Sequence, residues 1–266
     1  MMKKLLAVLL TLSLMAACTV ASAATLQQVK DAGALVMGTS PDFPPFENLV
    51  VDPVSFAETY EGIEIDVMNH VAEKLGVTLE ITPIDFESVL PGVQTGIYDI
   101  GVSGFTVTEE RKQNVDFSDV YYIAAQVIVV LPDSDIKTPA DLEGKAIAVQ
   151  SGTTAAETCF EQGYNVQEFK ANVDAELALV NKSVDAWVID NTVAVRMVAE
   201  YLTSTGNELV ILDEALTEEP YAFAFQTGRE DLVAEVNVVL QDLMASGQMA
   251  EIFAKYETEY SVPTVD

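Results

Sequence analysis

The sequence predicts an α/β protein with mainly parallel sheets, arranged as two similar lobes. Two observations carry this expectation. Short apolar runs of strand character alternate with amphipathic helical stretches along most of the chain, the order that builds parallel sheets from βα units. A weak internal repeat then sets Tyr98-Asp99-Ile100-Gly101-Val102-Ser103-Gly104 beside Val184-Asp185-Ala186-Trp187-Val188-Ile189-Asp190, each after a helix and a turn. Asp99 and Asp185 precede the two strands. Gly104 and Asp190 each follow five residues later, at a strand's C-terminal end, where open α/β sheets bind ligands. If the two lobes face each other, both positions face one crevice.

Taken in order, the first predicted strand is 35–38. The helix over 63–75 puts Val67, Met68, Val71, Ala72 and Leu75 on one face and stops at Gly76. A strand over 77–81, a helix over 86–95 that contains Pro91, and a strand over 99–102 follow. Thr108 is placed to cap a short helix over 106–114. The apolar run 124–131 is a long strand, and 132–135 a polar turn. The cycle then restarts, with strands at 146–149, 166–169, 186–189 and 209–212. Helices at 154–162, 175–180 and 192–201 separate them. A strand at 221–226 and helices at 232–246 and 249–256 close the chain. The stretch 48–59, with Pro53, reads as a loop insertion.

The 266 residues carry 13 Lys+Arg against 42 Asp+Glu, a formal charge of −29. Such a balance excludes a general nucleic-acid binder, which needs a basic face, and argues against adhesion to anionic lipid through basic residues. Lys3 and Lys4 precede an apolar run, 5–15, and then small residues, the pattern of a secretory signal. Met15-Ala16-Ala17-Cys18 resembles a lipidation site, so that 1–17 would be removed and Cys18 would carry the lipid. Ala21-Ser22-Ala23 offers cleavage of 1–23 instead. Either route places the mature protein outside the cytoplasm and leaves Cys159 as a free thiol on a helix. His70, the single histidine, sits on the 63–75 helix away from any nucleophile motif, as a satisfied boundary residue. The sequence shows no clustered His or Cys for a metal and no glycine fingerprint for a dinucleotide or phosphate; no cofactor is expected.

The run Gly101-Val102-Ser103-Gly104-Phe105-Thr106-Val107-Thr108-Glu109-Glu110-Arg111 leaves a strand end through a glycine-containing turn. Backbone groups exposed there, beside one of only three arginines in the protein, suit a planar carboxylate that the guanidinium can grip in two places.

With this run and six others in the same order, the chain resembles the extracytoplasmic solute-binding proteins of ABC importers, in the polar amino-acid group. The others are Gly38-Thr39-Ser40-Pro41-Asp42-Phe43-Pro44-Pro45-Phe46, Tyr60-Glu61-Gly62-Ile63-Glu64-Ile65-Asp66 and Leu90-Pro91-Gly92-Val93-Gln94-Thr95-Gly96. After the arginine run come Val115-Asp116-Phe117-Ser118-Asp119-Val120-Tyr121-Tyr122, Val149-Gln150-Ser151-Gly152-Thr153-Thr154 and the 184–190 strand. The resemblance spans about 26–257. It implies the two-lobed periplasmic-binding-protein-like fold (type II), each lobe a mainly parallel sheet flanked by helices, joined by two crossover strands. Lobe one would be 26–125 plus 219–266 and lobe two 130–214, with hinges near 125–129 and 215–219. It also implies a monomer that closes on a free amino acid and delivers it to a membrane permease and its ATPase.

Carried over residue by residue, Arg111 would hold the ligand α-carboxylate, with Thr106, Phe105 and the N–H groups of Thr153 and Thr154 beside it. The Gly104 carbonyl and the Asp190 carboxylate would accept from the α-ammonium. Phe43 would wall the ligand. Ile63 stands where a second aromatic wall is common, Ser40 where basic- and amide-side-chain readers often carry Asp, and Gln150 where some glutamine binders have a basic residue. These departures favour a neutral polar or small apolar amino acid over lysine, arginine or histidine. A periplasmic dehydratase on the same fold is the alternative, with Asp190 or Glu87 as general acid. A sensory module is a third reading, without the fused kinase that would mark it.

Overall fold

A computed structural model describes residues 26–264; the signal segment and Cys18 lie outside them. Helix α1 (Leu26–Ala32) leads into β1 (Ala34–Thr39), β2 (Asp42–Phe43), β3 (Glu47–Val51) and β4 (Glu58–Glu61). Next come α2 (Ile63–Leu75), β5 (Thr78–Pro83), α3 (Phe86–Gln94), β6 (Ile100–Gly101) and β7 (Val115–Phe117). β8 (Tyr122–Val130) crosses to a second sheet built with β9 (Ala146–Gln150), α4 (Thr154–Glu161), β10 (Asn165–Phe169), α5 (Asn172–Val180), β11 (Ala186–Asp190), α6 (Asn191–Thr205) and β12 (Val210–Ile211). β13 (Thr217–Tyr221) returns, and β14 (Ala224–Gln226), α7 (Glu230–Ser246) and α8 (Gln248–Lys255) complete the first lobe.

The first sheet has the order β5-β1-β6-β14-β7 and the second β10-β9-β11-β8-β12, with β13 also on β8. Each holds three parallel strands and then a reversed one: β14 runs antiparallel to β6, and β8 to β11. The reversal follows from the route, since these strands enter from the crossovers rather than from a helix of the same lobe. The crossovers pair antiparallel with one another, from Tyr221 opposite Tyr122 to Thr217 opposite Gln126.

The internal repeat becomes a repeated bonding pattern. Asp99 N–H donates to Val36 O at 2.8 Å, and its carboxylate accepts from Val36 N–H at 3.0 Å. Asp185 does the same to Ala146, at 2.7 and 2.8 Å. Each aspartate pins the start of one parallel strand to its neighbour, so Gly104 and Asp190 emerge at equivalent sheet edges.

Three expectations are corrected. The 48–59 stretch is not a loop: β3 and β4 pair there as a hairpin with Val51 opposite Glu58. Asp52 organises its turn by accepting from the backbone N–H groups of Val54 and Ser55 at 3.0 and 2.6 Å. The 106–114 helix shrinks to a single 3-10 turn, Arg111–Gln113. Thr108 still accepts from Arg111 N–H at 3.1 Å, so the cap forms although the helix does not continue; Val115 is drawn into β7 instead. The 221–226 strand is two, β13 and β14, because Tyr221 belongs to the crossover and Ala224 to the first sheet.

Burial follows the predicted faces. Ile65, Met68, Val71 and Leu75 of α2 join Val236, Leu240 and Phe253 of α7 and α8 in one core, and Gly76 ends α2 with φ 74°. Cys159 of α4 is buried, and burial pushes its thiol up to about 11, an inert structural position.

Candidate functional site

The turns after β6 and β9 meet across the lobes. Arg111 is held with its guanidinium over the rings of Phe86 and Phe105, 5.8 and 5.6 Å from the two centroids. Those rings stack on each other at 4.9 Å. Its Nη1 donates to Thr106 O at 3.0 Å and its Nη2 to Gly152 O of the opposite lobe at 3.1 Å. Burial draws the Arg111 pKa down, and the carboxylates Glu157, Glu219 and Asp190 oppose it.

Gly104 has φ +57°, and a Cβ there would lie 2.6 Å from the Phe43 ring. A side chain at this turn is thus excluded twice, by backbone conformation and by the aromatic wall laid against it. Phe43 in turn stacks on Phe46, centroids 5.9 Å apart. Asp190, at the end of β11, accepts a hydrogen bond from Tyr221 of the crossover. Burial pushes its carboxyl up to about 7; the Glu219 charge adds to this, while Tyr221 and Arg111 oppose it.

Phe43, Gln150, Thr153, Thr154 and Asp190 line one cavity of about 20 Å³, together with Gln126, Asn172 and Ile189. Gly104, Thr106 and Arg111 adjoin it through Phe43, Thr154 and Gly152. Ser40 connects to it through Asp42: Ser40 Oγ donates to Asp42 at 2.9 Å, and Asp42 accepts the Asn172 N–H of α5 at 2.7 Å. Gln150 binds Asn172 at 3.1 Å and Lys170 O at 3.0 Å. Phe105 lies behind Arg111 as its support. Ile63 is fully buried at the start of α2, within the core cluster, and does not line this cavity. Glu87 is exposed, its Cβ against the Gly152 turn.

Sequence reasoning missed Glu219 and Gln126. Glu219 Oε2 accepts from Thr106 Oγ1 of one lobe at 2.6 Å and Thr154 Oγ1 of the other at 2.8 Å, and Thr217 also donates to this carboxylate. One acid among 42 gives no signal; only the crossover's position shows that this one is central.

The pattern of the bacterial extracellular solute-binding proteins, family 3, matches residues 35–259. The chain belongs to that family. It is 31% identical over 231 residues to the arginine-binding extracellular protein ArtP of Bacillus subtilis, covering 84% of this chain and 86% of ArtP. To the ABC transporter glutamine-binding protein GlnH of the same organism it is 31% identical over 244 residues, 88% of this chain and 85% of GlnH. Among solved structures, an ancestral arginine-binding protein bound to glutamine superposes with TM-score 0.78 at 35% identity, over 85% of this chain and 99% of that one. Family members share the two-lobed fold seen here, and among the described residues no helix is long and apolar enough to cross a membrane.

Proposed function

We propose that this protein captures a free L-amino acid between its two lobes and delivers it to the permease and ATPase of an ABC importer, working outside the cytoplasm as a monomer. The observation that carries this reading is the meeting of Arg111, the Gly104 turn, the start of α4 and Asp190 around one cleft. That set gives cationic and N–H donors at one end and a carboxylate at the other, the complement of a zwitterion. The hinge lies in the paired crossovers, Tyr122–Gln126 with Thr217–Tyr221. The cavity, about 20 Å³, has room for only about one water, so the lobes must part for an amino acid to enter. Ligand contacts from both sides then favour closure. Export follows the signal segment, with Cys18 as the lipid-anchor candidate.

Ser40 does not leave the side-chain end of the cleft without a carboxylate, because Asp42 stands against it with Gln150 and Asn172. This end suits a side chain rich in N–H donors, and the arginine- and glutamine-binding relatives fit that class better than a small apolar ligand does. A thermal-shift screen of the mature protein against the twenty amino acids tests the reading. A ligand at a hundredfold its Kd adds about 2.7 kcal/mol of stability. No shift after removal of co-purified ligand by unfolding and refolding would refute it, and conversion of prephenate or arogenate would favour the dehydratase.

The Asp190 carboxyl supplies a pH signature. A ligand ammonium needs the carboxylate, so below about pH 7 binding must displace a proton. Affinity is expected to be level above that pH and to fall by up to about tenfold per unit below it. Calorimetry in buffers of different ionisation enthalpy should show proton release near pH 6. Asp190→Asn should weaken binding and remove the slope; a slope that survives the substitution would place the proton elsewhere.

A further inference from the structure

Gln126 of β8 is 1% exposed, and its Oε1 meets no donor among the described residues. A buried amide oxygen without a donor is costly and demands a reason. Which amide atom is the oxygen follows from its neighbours. Thr154 Oγ1 gives its single proton to Glu219 Oε2, 2.8 Å away, so that oxygen can otherwise only accept. The Gln126 atom 2.8 Å from Thr154 Oγ1 is therefore the Nε2 donor. Donation runs from Gln126 to Thr154 to Glu219, and Oε1 is left as a free acceptor at the head of that chain.

The strand register says where it lies. Gln126 is directly opposite Asp190 in the antiparallel β8–β11 pair, and opposed residues share a face of the sheet. Both line the cavity, with Phe43 and Thr154.

We propose that Gln126 Oε1 is a ligand-binding atom that accepts one N–H of the bound amino acid's α-ammonium beside Asp190. An ammonium has three donors, and Asp190, the Gly104 carbonyl and Gln126 Oε1 provide an acceptor for each. The inference rests on the amino-acid-binding reading above. Glu219 is then a positioning residue: its charge fixes the direction of the Thr154 hydroxyl and so the orientation of the Gln126 amide. A buried acceptor that loses its donor rejects the analogue lacking that donor, so Gln126 sharpens discrimination against α-deamino acids.

The test titrates wild-type protein and Gln126→Met with every amino acid that the wild type binds, each paired with its α-deamino counterpart by displacement. For L-arginine the counterpart is 5-guanidinopentanoate, and for L-glutamine 4-carbamoylbutanoate. Gln126→Met is expected to lower amino-acid affinity about tenfold to a hundredfold and deamino-acid affinity less than about twofold, so discrimination shrinks by nearly the whole factor. An equal loss for both members of a pair would mean a merely structural role and overturn the proposal, as would no loss at all. A wild-type protein that binds none of the twenty amino acids would overturn the broader reading with it. A crystal structure of a wild-type complex gives a second readout: Oε1 should lie within about 3.2 Å of the ligand nitrogen, and a separation beyond hydrogen-bond reach overturns the assignment.

Discussion

Replacing Arg111 by methionine is expected to reduce amino-acid affinity by two to three orders of magnitude while the protein stays folded. Truncating one partner of a buried, hydrogen-bonded charge pair costs about 2–5 kcal/mol, and each 1.4 kcal/mol is about tenfold in Kd. The guanidinium rests between Phe86 and Phe105 below and Gly152 of the opposite lobe above, so its loss removes both the carboxylate partner and a bond that joins the lobes. Methionine fills comparable apolar space against the two rings, which stay stacked on each other. The folded state loses two hydrogen bonds to carbonyls but no ion pair. Calorimetric titration measures the affinity, and thermal unfolding of the ligand-free protein checks the fold. Unchanged affinity in a folded variant would remove Arg111 from the carboxylate site. Loss of folding together with binding would show that the arginine serves the lobe interface first.

The class of fold was legible because alternation of strand and helix is a local property, written in apolar periodicity and glycine stops such as Gly76. The Asp99 and Asp185 echo was legible for a related reason: an aspartate that bonds both polar groups of one residue near the start of a neighbouring strand recurs where the unit recurs. The Gly104–Arg111 and Ser151–Thr154 turns announced themselves through residue types that turns and helix starts require. What stayed hidden depends on distance in sequence. Asp42 meets Asn172 across 130 positions, and Thr106 meets Glu219 across 113. No spacing along the chain encodes such pairs. The β3–β4 hairpin was not legible because its arms, Glu47–Val51 and Glu58–Glu61, are short and lack a regular apolar alternation, and Pro53 lies between them. Ile63 is fully buried at the start of α2, where burial of a large aliphatic group is favourable by about 1.5–3 kcal/mol.

Beneath the Gly104 turn lies an arrangement that governs stability rather than recognition. Glu47 and Glu64 are both fully buried, and among the described residues neither forms an ion pair with a cation. Glu64 accepts from Gly104 N–H at 3.1 Å and from Tyr121, and Ser103 donates to Glu47 at 2.8 Å. Among the described residues the other Glu47 oxygen meets no donor, only the Glu64 carboxyl, so the contact requires a proton between them. Burial first, and the Glu64 charge second, hold Glu47 well above its ordinary 4.5. The unfolded chain gives up this proton near pH 4.5 while the folded protein keeps it. Stability from this group is therefore complete below that pH and is lost as pH rises through the window above it, with a limiting slope of about 1.4 kcal/mol per unit. Glu47→Gln puts an N–H where the shared proton sits and keeps an oxygen for Ser103, without a titration. The variant should match the wild type near pH 4 and exceed it increasingly toward pH 8, each kcal/mol raising Tm by about 2–4 °C in a protein of this size. Differential scanning calorimetry of the ligand-free protein across that range decides it. A variant no more stable than wild type at pH 8 would mean that the pair ionises with the rest of the carboxylates and that some other group lies between them. Amino-acid affinity should match that of the wild type, because Glu64 keeps its hold on the Gly104 turn.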